Sequence, residues 1–167
     1  MNGKDCLLDT NIVIGLFANE SSITEKIKSF SGSIFIPSIV LGELFYGAEQ
    51  STRKDENRKK IEELAEASLV LECDTDTARF YGKIKSQLKV KGTPIPENDI
   101  WIAALADQHQ LILVTRDKHF NSIETIPSKS GRSSPAATHI VQATHANAKT
   151  KARQRVSAPS PVMNDED

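Results

Sequence analysis

Four acidic residues stand where the local sequence favours apolar or neutral side chains. Asp9 and Asp117 each follow a short apolar segment. Glu43 lies within a longer apolar segment, and Asp99 begins a helical segment. Crowded carboxylates repel one another, and a shared proton or a hard cation relieves the repulsion. Mg²⁺ suits such a group because it takes oxygen ligands and keeps several waters. Two such ions about 3.5–4 Å apart can activate a water and stabilise the leaving oxygen in phosphodiester hydrolysis.

Each of these acids also has an ordinary explanation when it is taken alone. Asp9 could cap the helix that follows it, and Asp117 is a common type of turn residue. Asp99 would favour the dipole of its own helix from the first turn. Glu43 is costly to bury unless it is paired or holds a metal, so its ordinary explanation is a narrow solvent-facing stripe or a lysine partner. It is the combination of the four that indicates a site.

Short apolar strands alternate with helical segments along the first 127 residues. Strands are predicted at residues 5–9, 33–36, 69–71 and 111–115, with a weaker last strand at 123–126, and helices at 10–17, 23–30, from 38 onward, 53–66, 75–89 and 98–109. This alternation predicts an α/β fold of βαβ units around a central parallel sheet. Because ligands of open α/β sheets gather outside the carboxyl ends of the strands, the four acids are expected around one edge of the sheet.

The chain divides into a domain at residues 1–127 and a tail at residues 128–167. The domain holds 15 Lys or Arg and 19 Asp or Glu, a net charge of −4, whereas the tail holds 6 and 3, a net charge of +3. The tail has no Phe, Trp or Tyr and is rich in Ser, Ala, Thr and Pro. It has too little apolar surface to bury, so we expect it to be a disordered, low-complexity segment.

Composition excludes several classes of protein. The chain has 167 residues, a net charge of −1 and 38% hydrophobic residues, and no apolar run approaches the roughly 18 residues of a membrane-spanning helix. The near-zero charge excludes a generically basic nucleic-acid coat. Two cysteines and no Cys/His cluster exclude a disulfide framework or a zinc site. The first residues lack the apolar core of a secretory signal, so a cytoplasmic location is expected.

Four segments carry a resemblance to a known family. They are LLDTN at residues 7–11, PSIVLGELFYGA at 37–48, ENDIWIAALA at 97–106 and LILVTRDKHF at 111–120. Their order and spacing resemble those of PIN-domain ribonucleases, in particular the VapC-type toxins of bacterial toxin–antitoxin modules. The resemblance covers about residues 4–126, and the tail from residue 128 has no counterpart in it.

The resemblance implies a compact three-layer α/β/α sandwich and a Mg²⁺-dependent endoribonuclease, with Mn²⁺ as an alternative ion. Its acidic quartet, implied as both catalytic residues and metal ligands, falls on Asp9, Glu43, Asp99 and Asp117. Thr115 is implied as an assisting polar residue, with Asn11 as a lesser candidate. The implied reaction is attack of water on an RNA phosphodiester, which leaves a 5′-phosphate and a 3′-hydroxyl. Glu43 would hold the metal or position that water.

The resemblance also implies partners. The RNA substrate would be a transfer RNA or ribosomal RNA, and cleavage would inhibit translation. A cognate antitoxin would block the acidic groove, a homodimer is expected, and promoter DNA would be contacted only through the antitoxin. The helical region around Phe45 and Tyr46 is either core or a surface for these contacts.

The serious alternative is a non-catalytic PIN-like module that binds RNA or a partner. The presence of all four acids weighs against it. An aspartyl phosphatase would need a second acid at position 11, which is Asn, and no phosphate-binding glycine motif is present. Arg116 is expected either to contact the scissile strand or to pair with a nearby acid. His119 is either a proton donor or phosphate contact, or merely exposed.

Overall fold

The structure, a computed structural model, describes residues 5–123 and the backbone of residues 139–142. Its strands and helices, in chain order, are β1 Cys6–Leu8, α1 Thr10–Phe17, α2 Ser21–Lys28, β2 Ile34–Pro37, α3 Ser38–Glu49, α4 Lys54–Ala67, β3 Leu69–Leu71, α5 Thr75–Lys91, α6 Glu97–His109, β4 Ile112–Thr115, a 3₁₀ helix at Lys118–Ser122 and β5 His139–Gln142.

The sheet has the strand order β3-β2-β1-β4-β5. Strands β3, β2, β1 and β4 pair in parallel, and Cys6 in β1 is aligned with Ile34 of β2 on one side and Ile112 of β4 on the other. Every residue of β1 and β4 is buried, as expected of parallel strands covered by helices on both faces. The expected α/β/α architecture around a parallel sheet is confirmed.

Strand β5 was not expected from the sequence. It lies inside the segment 128–167 that the composition predicts to be disordered, and it pairs antiparallel with β4. The physical reason is local: Ile140 and Val141 are β-branched, and β4 offers an edge on the side away from β1. Residues 139–142 are therefore a strand within a tail that the composition predicts to be mostly disordered, and the other tail residues lie outside the described part of the chain.

The region after β4 also differs from the expectation. Residues 118–122 form a 3₁₀ helix in which Phe120 is fully buried. Ile123, the first residue of the strand predicted at 123–126, is buried but is not in a strand. Residues 124–126 and the proposed domain boundary at residue 127 lie outside the described residues.

Helices α5 and α6 pack against each other beside the sheet. A capping box formed by Asp74 and Thr77 begins α5, and Gly92 with a φ of 67° ends it in a left-handed conformation that favours glycine. In α6 the residues Ile102–Asp107 are buried without interruption, so this helix is covered on most sides. Its first turn thus has a fixed position next to β4. None of the helices in the described part of the chain has both the length and the apolar character that a bilayer span requires.

Candidate metal centre

The site lies where β1 and β4 end. The two strands are parallel neighbours, with Leu8 of β1 aligned with Val114 of β4, so their carboxyl ends coincide. Asp9 follows β1 directly, and its backbone N–H donates to the Val114 carbonyl at 3.1 Å. Asp117 follows β4 by two residues. The sheet register therefore places both acids at one edge.

Asp9 is the most buried of the four acids, with 4% of its surface exposed. Its Oδ1 accepts from the backbone N–H of Thr10 at 2.7 Å, which caps α1. Its Oδ2 accepts from Thr115 Oγ1 at 2.5 Å and from Asn11 Nδ2 at 2.5 Å. Asp9 therefore caps α1, as its ordinary explanation predicts, and its carboxyl group also lies at the predicted edge of the sheet.

The environment of Asp9 favours its neutral form. Burial raises the pKa of its carboxyl group above the ordinary value, and the negative charges of Glu43 and Asp117 raise it further. The hydrogen bonds from Thr115 and Thr10 lower the pKa and only partly offset the burial. A cation at this edge would favour the charged carboxylate.

Asp99 enters the site from the first turn of α6, with 14% of its side chain exposed. Its pKa is raised to about 6, first by burial and then by the charges of Asp9 and Asp117, while His119 lowers it. Burial is thus the main cause, and the charges of two acids from other parts of the chain add to it. Such crowding is the condition under which a divalent ion is bound.

Asp99, Asp117 and His119 form the tightest group of metal-ligating side chains among the described residues. One ligand atom from each lies within 4.8 Å of the others. His119 Nδ1 is 3.1 Å from Asp117 Oδ1 and 3.3 Å from Asp99 Oδ2. This set of two carboxylates and an imidazole, beside the buried Asp9, fits a divalent cation in the chemistry of its donors.

Glu43 is held at the side of this group by neutral donors. Its Oε2 accepts from the Thr10 hydroxyl and its Oε1 accepts from Asn98 Nδ2 at 2.7 Å. These bonds tie α3 to the first residues of α1 and α6. The partners of Glu43 in the described chain are a hydroxyl and an amide, so a lysine partner does not explain it there. A solvent-facing stripe fits its position, because Glu43 is partly exposed beside the exposed Tyr46 and Gly47. It faces an open groove of about 680 Å³ that is also lined by Ile39, Gly42 and Tyr46.

Thr115 and Asn11 fix the orientation of Asp9. Thr115 is fully buried at the end of β4, donates to Asp9 and accepts from the Asp117 backbone N–H at 2.9 Å and from Asn11 Nδ2 at 3.2 Å. Asn11 Oδ1 accepts in turn from the backbone N–H of Arg116 at 3.0 Å. Because their donors and acceptors are used within the protein, these side chains position the acids.

Arg116 takes the second of the two roles left open by the sequence. Its guanidinium donates to Glu20 Oε2 at 2.7 Å and to the backbone carbonyl of Asn11 at 2.7 Å. It thus pairs with a nearby acid and pins the start of α1 against the loop after β4. Gly15 in α1 permits this packing, since a Cβ there would lie 3.3 Å from the Arg116 guanidinium and 2.3 Å from Ile23 Cδ1.

The structure places Asp9, Asp117 and Thr115 at one edge of the sheet and brings Asp99 of α6 into one group with Asp117. Asp9 and Glu43 lie beside this group and are not members of it. Sequence reasoning left His119 among exposed residues and missed Thr10 and Asn98, which hold Glu43. His119 is 53% exposed, so burial gave no signal.

A second groove borders Glu43 on its other side, between α1, α3 and α4. It has a volume of about 370 Å³ and an apolar floor that includes Phe17, Leu44 and Ile61, with Arg53 and Lys60 among its lining residues. Ile14, on the wall of this groove, is 52% exposed. An apolar surface next to the acids is therefore open in the single chain.

Comparison with known proteins agrees with this architecture. The sequence matches the PIN domain family over residues 6–126. Ribonuclease VapC2 of Haemophilus influenzae is 37% identical over 112 residues, covering 66% of this chain and 85% of that protein. The tRNA(fMet)-specific endonuclease VapC of Salmonella typhimurium is 35% identical over 122 residues, covering 72% of this chain and 91% of that protein.

A solved structure shares the fold. VapBC2 from Rickettsia felis, crystallised with a DNA fragment from its promoter, contains a chain that superposes with a TM-score of 0.67 at 29% sequence identity. The match covers 72% of this chain and 93% of that chain. The part of this chain that lies outside the match is about the length of the C-terminal tail.

Proposed function

This chain belongs to the PIN-domain family, among its VapC proteins, and we propose that it is a divalent-metal-dependent endoribonuclease, the toxin of a toxin–antitoxin pair. The observation that carries the proposal is the group of carboxyl groups at the ends of β1 and β4. Asp9 and Asp99 have raised pKa values because they are buried near other acids. A nuclease of this class needs such a concentration of negative charge to hold its cation.

Asp99 and Asp117 would hold the ion, with Asp9 adding charge and a further oxygen ligand from the side of β1. When bound, a divalent ion polarises a phosphoryl oxygen and lowers the pKa of a water that it carries. Mg²⁺ is the ion proposed for the reaction, with Mn²⁺ as the alternative. The exposed side of the group, where 35% of the Asp117 side chain is accessible, leaves room for a phosphodiester.

The protein's own side chains would orient the reaction. Thr115 and Asn11 hold the Asp9 carboxylate in one rotamer through bonds of 2.5 Å each. Thr10 and Asn98 hold Glu43 in the same way from two other helices. With both carboxylates preorganised, Glu43 is placed to bind an attacking water or a second cation, and little reorganisation is needed in the reaction. A reaction with water leaves a 5′-phosphate and a 3′-hydroxyl and needs no 2′-hydroxyl nucleophile.

The substrate that we propose is a structured RNA of the translation apparatus, with transfer RNA before ribosomal RNA. Two observations support it: the Salmonella relative is named for initiator transfer RNA, and the groove beside Glu43 exposes 69% of Tyr46, on which an unpaired base could stack. With these substrates, the location that we propose is the cytoplasm.

The partner that we propose is an antitoxin protein bound in the apolar groove between α1, α3 and α4. This groove ends at Glu43, so an occupant would cover the acids. The Rickettsia neighbour is a complex of the VapBC type with promoter DNA, and we propose that this chain contacts DNA only through its antitoxin. A homodimer is proposed for the free toxin.

The experiment is cleavage of total cellular RNA by the purified full chain, freed of antitoxin, in Mg²⁺, in Mn²⁺ and in EDTA. We expect cleavage only with metal, and fragments that carry 5′-phosphate and 3′-hydroxyl ends. Fragments with 2′,3′-cyclic phosphate ends, or equal cleavage in EDTA, would contradict the proposed reaction. Metal binding without any cleavage would favour the alternative, a non-catalytic PIN-like module that binds RNA or a partner.

A further inference from the structure

The imidazole of His119 is the one nitrogen ligand in the candidate metal centre among the described residues. Its Nδ1 lies 3.1 Å from Asp117 Oδ1 and 3.3 Å from Asp99 Oδ2. The acidic quartet accounts for the two carboxylates but gives no role to this nitrogen. Its position between two acids from different elements needs an explanation of its own.

The separations fit neighbouring ligands of one ion. Bonds of about 2.1 Å at right angles, as in an octahedral site, place two ligand atoms about 3 Å apart. His119 Nδ1 keeps such a distance to both carboxylate oxygens. Either nitrogen of a neutral imidazole can bind a metal, and Nδ1 is the nitrogen on the side of the acids.

The backbone around His119 holds the ring in place. The Asp117 carboxylate accepts from the His119 backbone N–H at 2.9 Å, which fixes the turn between the two residues. The next residue, Phe120, is fully buried and anchors the 3₁₀ helix to the core. The ring therefore projects from a restrained segment although half of it is exposed.

We propose that His119 is a ligand of the metal centre through Nδ1, and that the centre consequently binds a first-row transition ion such as Mn²⁺ in preference to Mg²⁺. This inference rests on the metal centre of the proposed function. An imidazole nitrogen contributes affinity for transition ions, whereas Mg²⁺ is bound by oxygen ligands and waters. Asp99 and Asp117 alone would discriminate less between the two ions.

The competing explanation is that His119 only donates a hydrogen bond to the two carboxylates and aligns them. In that case removal of the imidazole weakens the binding of every divalent ion by a similar factor, because the carboxylate oxygens are the only protein ligands. The two explanations therefore differ in selectivity and in the atoms bonded to the ion.

The test is metal binding by the full chain after treatment with EDTA. Mn²⁺ binding is measured by electron paramagnetic resonance, Mg²⁺ binding by competition, and nitrogen coordination by the ¹⁴N modulation of the bound Mn²⁺ signal. The variants are His119→Gln, which replaces the nitrogen by an amide oxygen, and His109→Gln, a control at the exposed end of α6. Circular dichroism checks that both variants are folded.

We expect ¹⁴N modulation in the unaltered protein and in His109→Gln, and its loss in His119→Gln together with a decrease in Mn²⁺ affinity on the order of tenfold and little change for Mg²⁺. Absence of ¹⁴N modulation in the unaltered protein, or equal losses for both ions, would overturn the proposal. These readouts do not involve RNA. Nitrogen-coordinated Mn²⁺ without RNA cleavage would contradict the proposed nuclease activity but would still support His119 as a metal ligand.

Discussion

The first turn of α6 carries two acidic residues that lie in opposite environments. Glu97 is exposed and accepts hydrogen bonds from Lys85 Nζ at 2.7 Å and from the Tyr81 hydroxyl. Both bonds lower the pKa of its carboxyl group, and the bond from Lys85 has the larger effect. Asp99 is mostly buried, and burial and the charges of Asp9 and Asp117 raise its pKa to about 6. The helix dipole acts on both residues, so the difference between their pKa values comes from the groups that surround each side chain.

The same contrast separates the site from the outer helices. Glu49 of α3 pairs through one carboxylate oxygen with Lys54 and through the other with Arg58. Glu56 of α4 pairs with Lys60. Within residues 5–123, no lysine or arginine pairs with any of the four site acids. Several surface carboxylates thus have a lysine or arginine partner, whereas the four site acids have none among these residues, as the proposed divalent ion would require.

The greatest difference between the two acids in the first turn of α6 should be in RNA cleavage. Asp99→Asn should reduce RNA cleavage on the order of 100-fold or more, because it removes a charged ligand from the reacting centre. Glu97→Gln should leave cleavage nearly unchanged, since Glu97 serves a surface network. Cleavage rates at saturating Mg²⁺ measure both. Similar losses in the two variants would break the comparison.

The next effect is on the stability of the metal-free protein. The pKa of the Asp99 carboxyl group is about 6 in the folded chain, above the ordinary value of 3.8 that applies to the unfolded chain. A raised folded pKa adds stability below the unfolded pKa, and that stability is lost as the pH rises through the folded pKa. The free energy of unfolding in EDTA should therefore fall between about pH 4 and pH 6.

Asp99→Asn should remove most of this pH dependence. At pH 7.5 the variant should be more stable than the unaltered metal-free protein by about 1–3 kcal/mol, and the two should converge near pH 4. Urea unfolding at several pH values measures the difference. Glu97→Gln is the control for loss of the helix dipole interaction in the same turn. A parallel pH profile for Asp99→Asn and the unaltered protein would contradict the proposed repulsion.

A smaller effect concerns a residue that acts on the site through others. Arg116→Lys should lower cleavage about tenfold, because a lysine cannot reach both Glu20 and the Asn11 carbonyl and so leaves Asn11 less fixed against Asp9. Arg79→Lys, in an exposed pair with Asp76, is the matched control. The same activity in both variants would show that the Arg116 contacts do not position the site.

The smallest effect belongs to the outer face of α6. Lys85→Gln should leave the melting temperature unchanged within experimental error, because an exposed ion pair is screened by solvent and contributes little. Thermal unfolding at low and at high salt checks this. A large loss of stability would mean that the ion pair of Glu97 and Lys85 stabilises the fold, and it would weaken the contrast between Glu97 and Asp99.

The sequence was sufficient to predict the parallel sheet and the acids that lie at its edge. Asp9 directly follows one apolar strand and Asp117 follows another by two residues, and parallel strands bring such positions together. Glu43 was detectable because a charged residue in an apolar helical segment is costly. These predictions depend on periodicity and on strand ends, which are local properties of the chain.

What escaped prediction depends on contacts between distant segments. His119 joins Asp99 across 20 residues, and Asn98 reaches Glu43 across 55, so neither pairing is visible in local sequence. Strand β5 pairs with an edge that exists only after the sheet has formed. Composition indicated disorder for that segment because two apolar residues are too few to form a core, although they are enough to add a short edge strand.

We propose that the carboxyl groups of Asp9, Asp99 and Asp117 bind the divalent ion that RNA cleavage requires. Thermal unfolding and RNA cleavage are best followed in parallel while Mg²⁺ or Mn²⁺ is added back to EDTA-treated protein, unaltered and Asp99→Asn. We predict that metal raises the unfolding temperature and restores cleavage over the same concentration range, and that both responses are lost in Asp99→Asn. Full cleavage in EDTA, or by Asp99→Asn with metal, would contradict the claim.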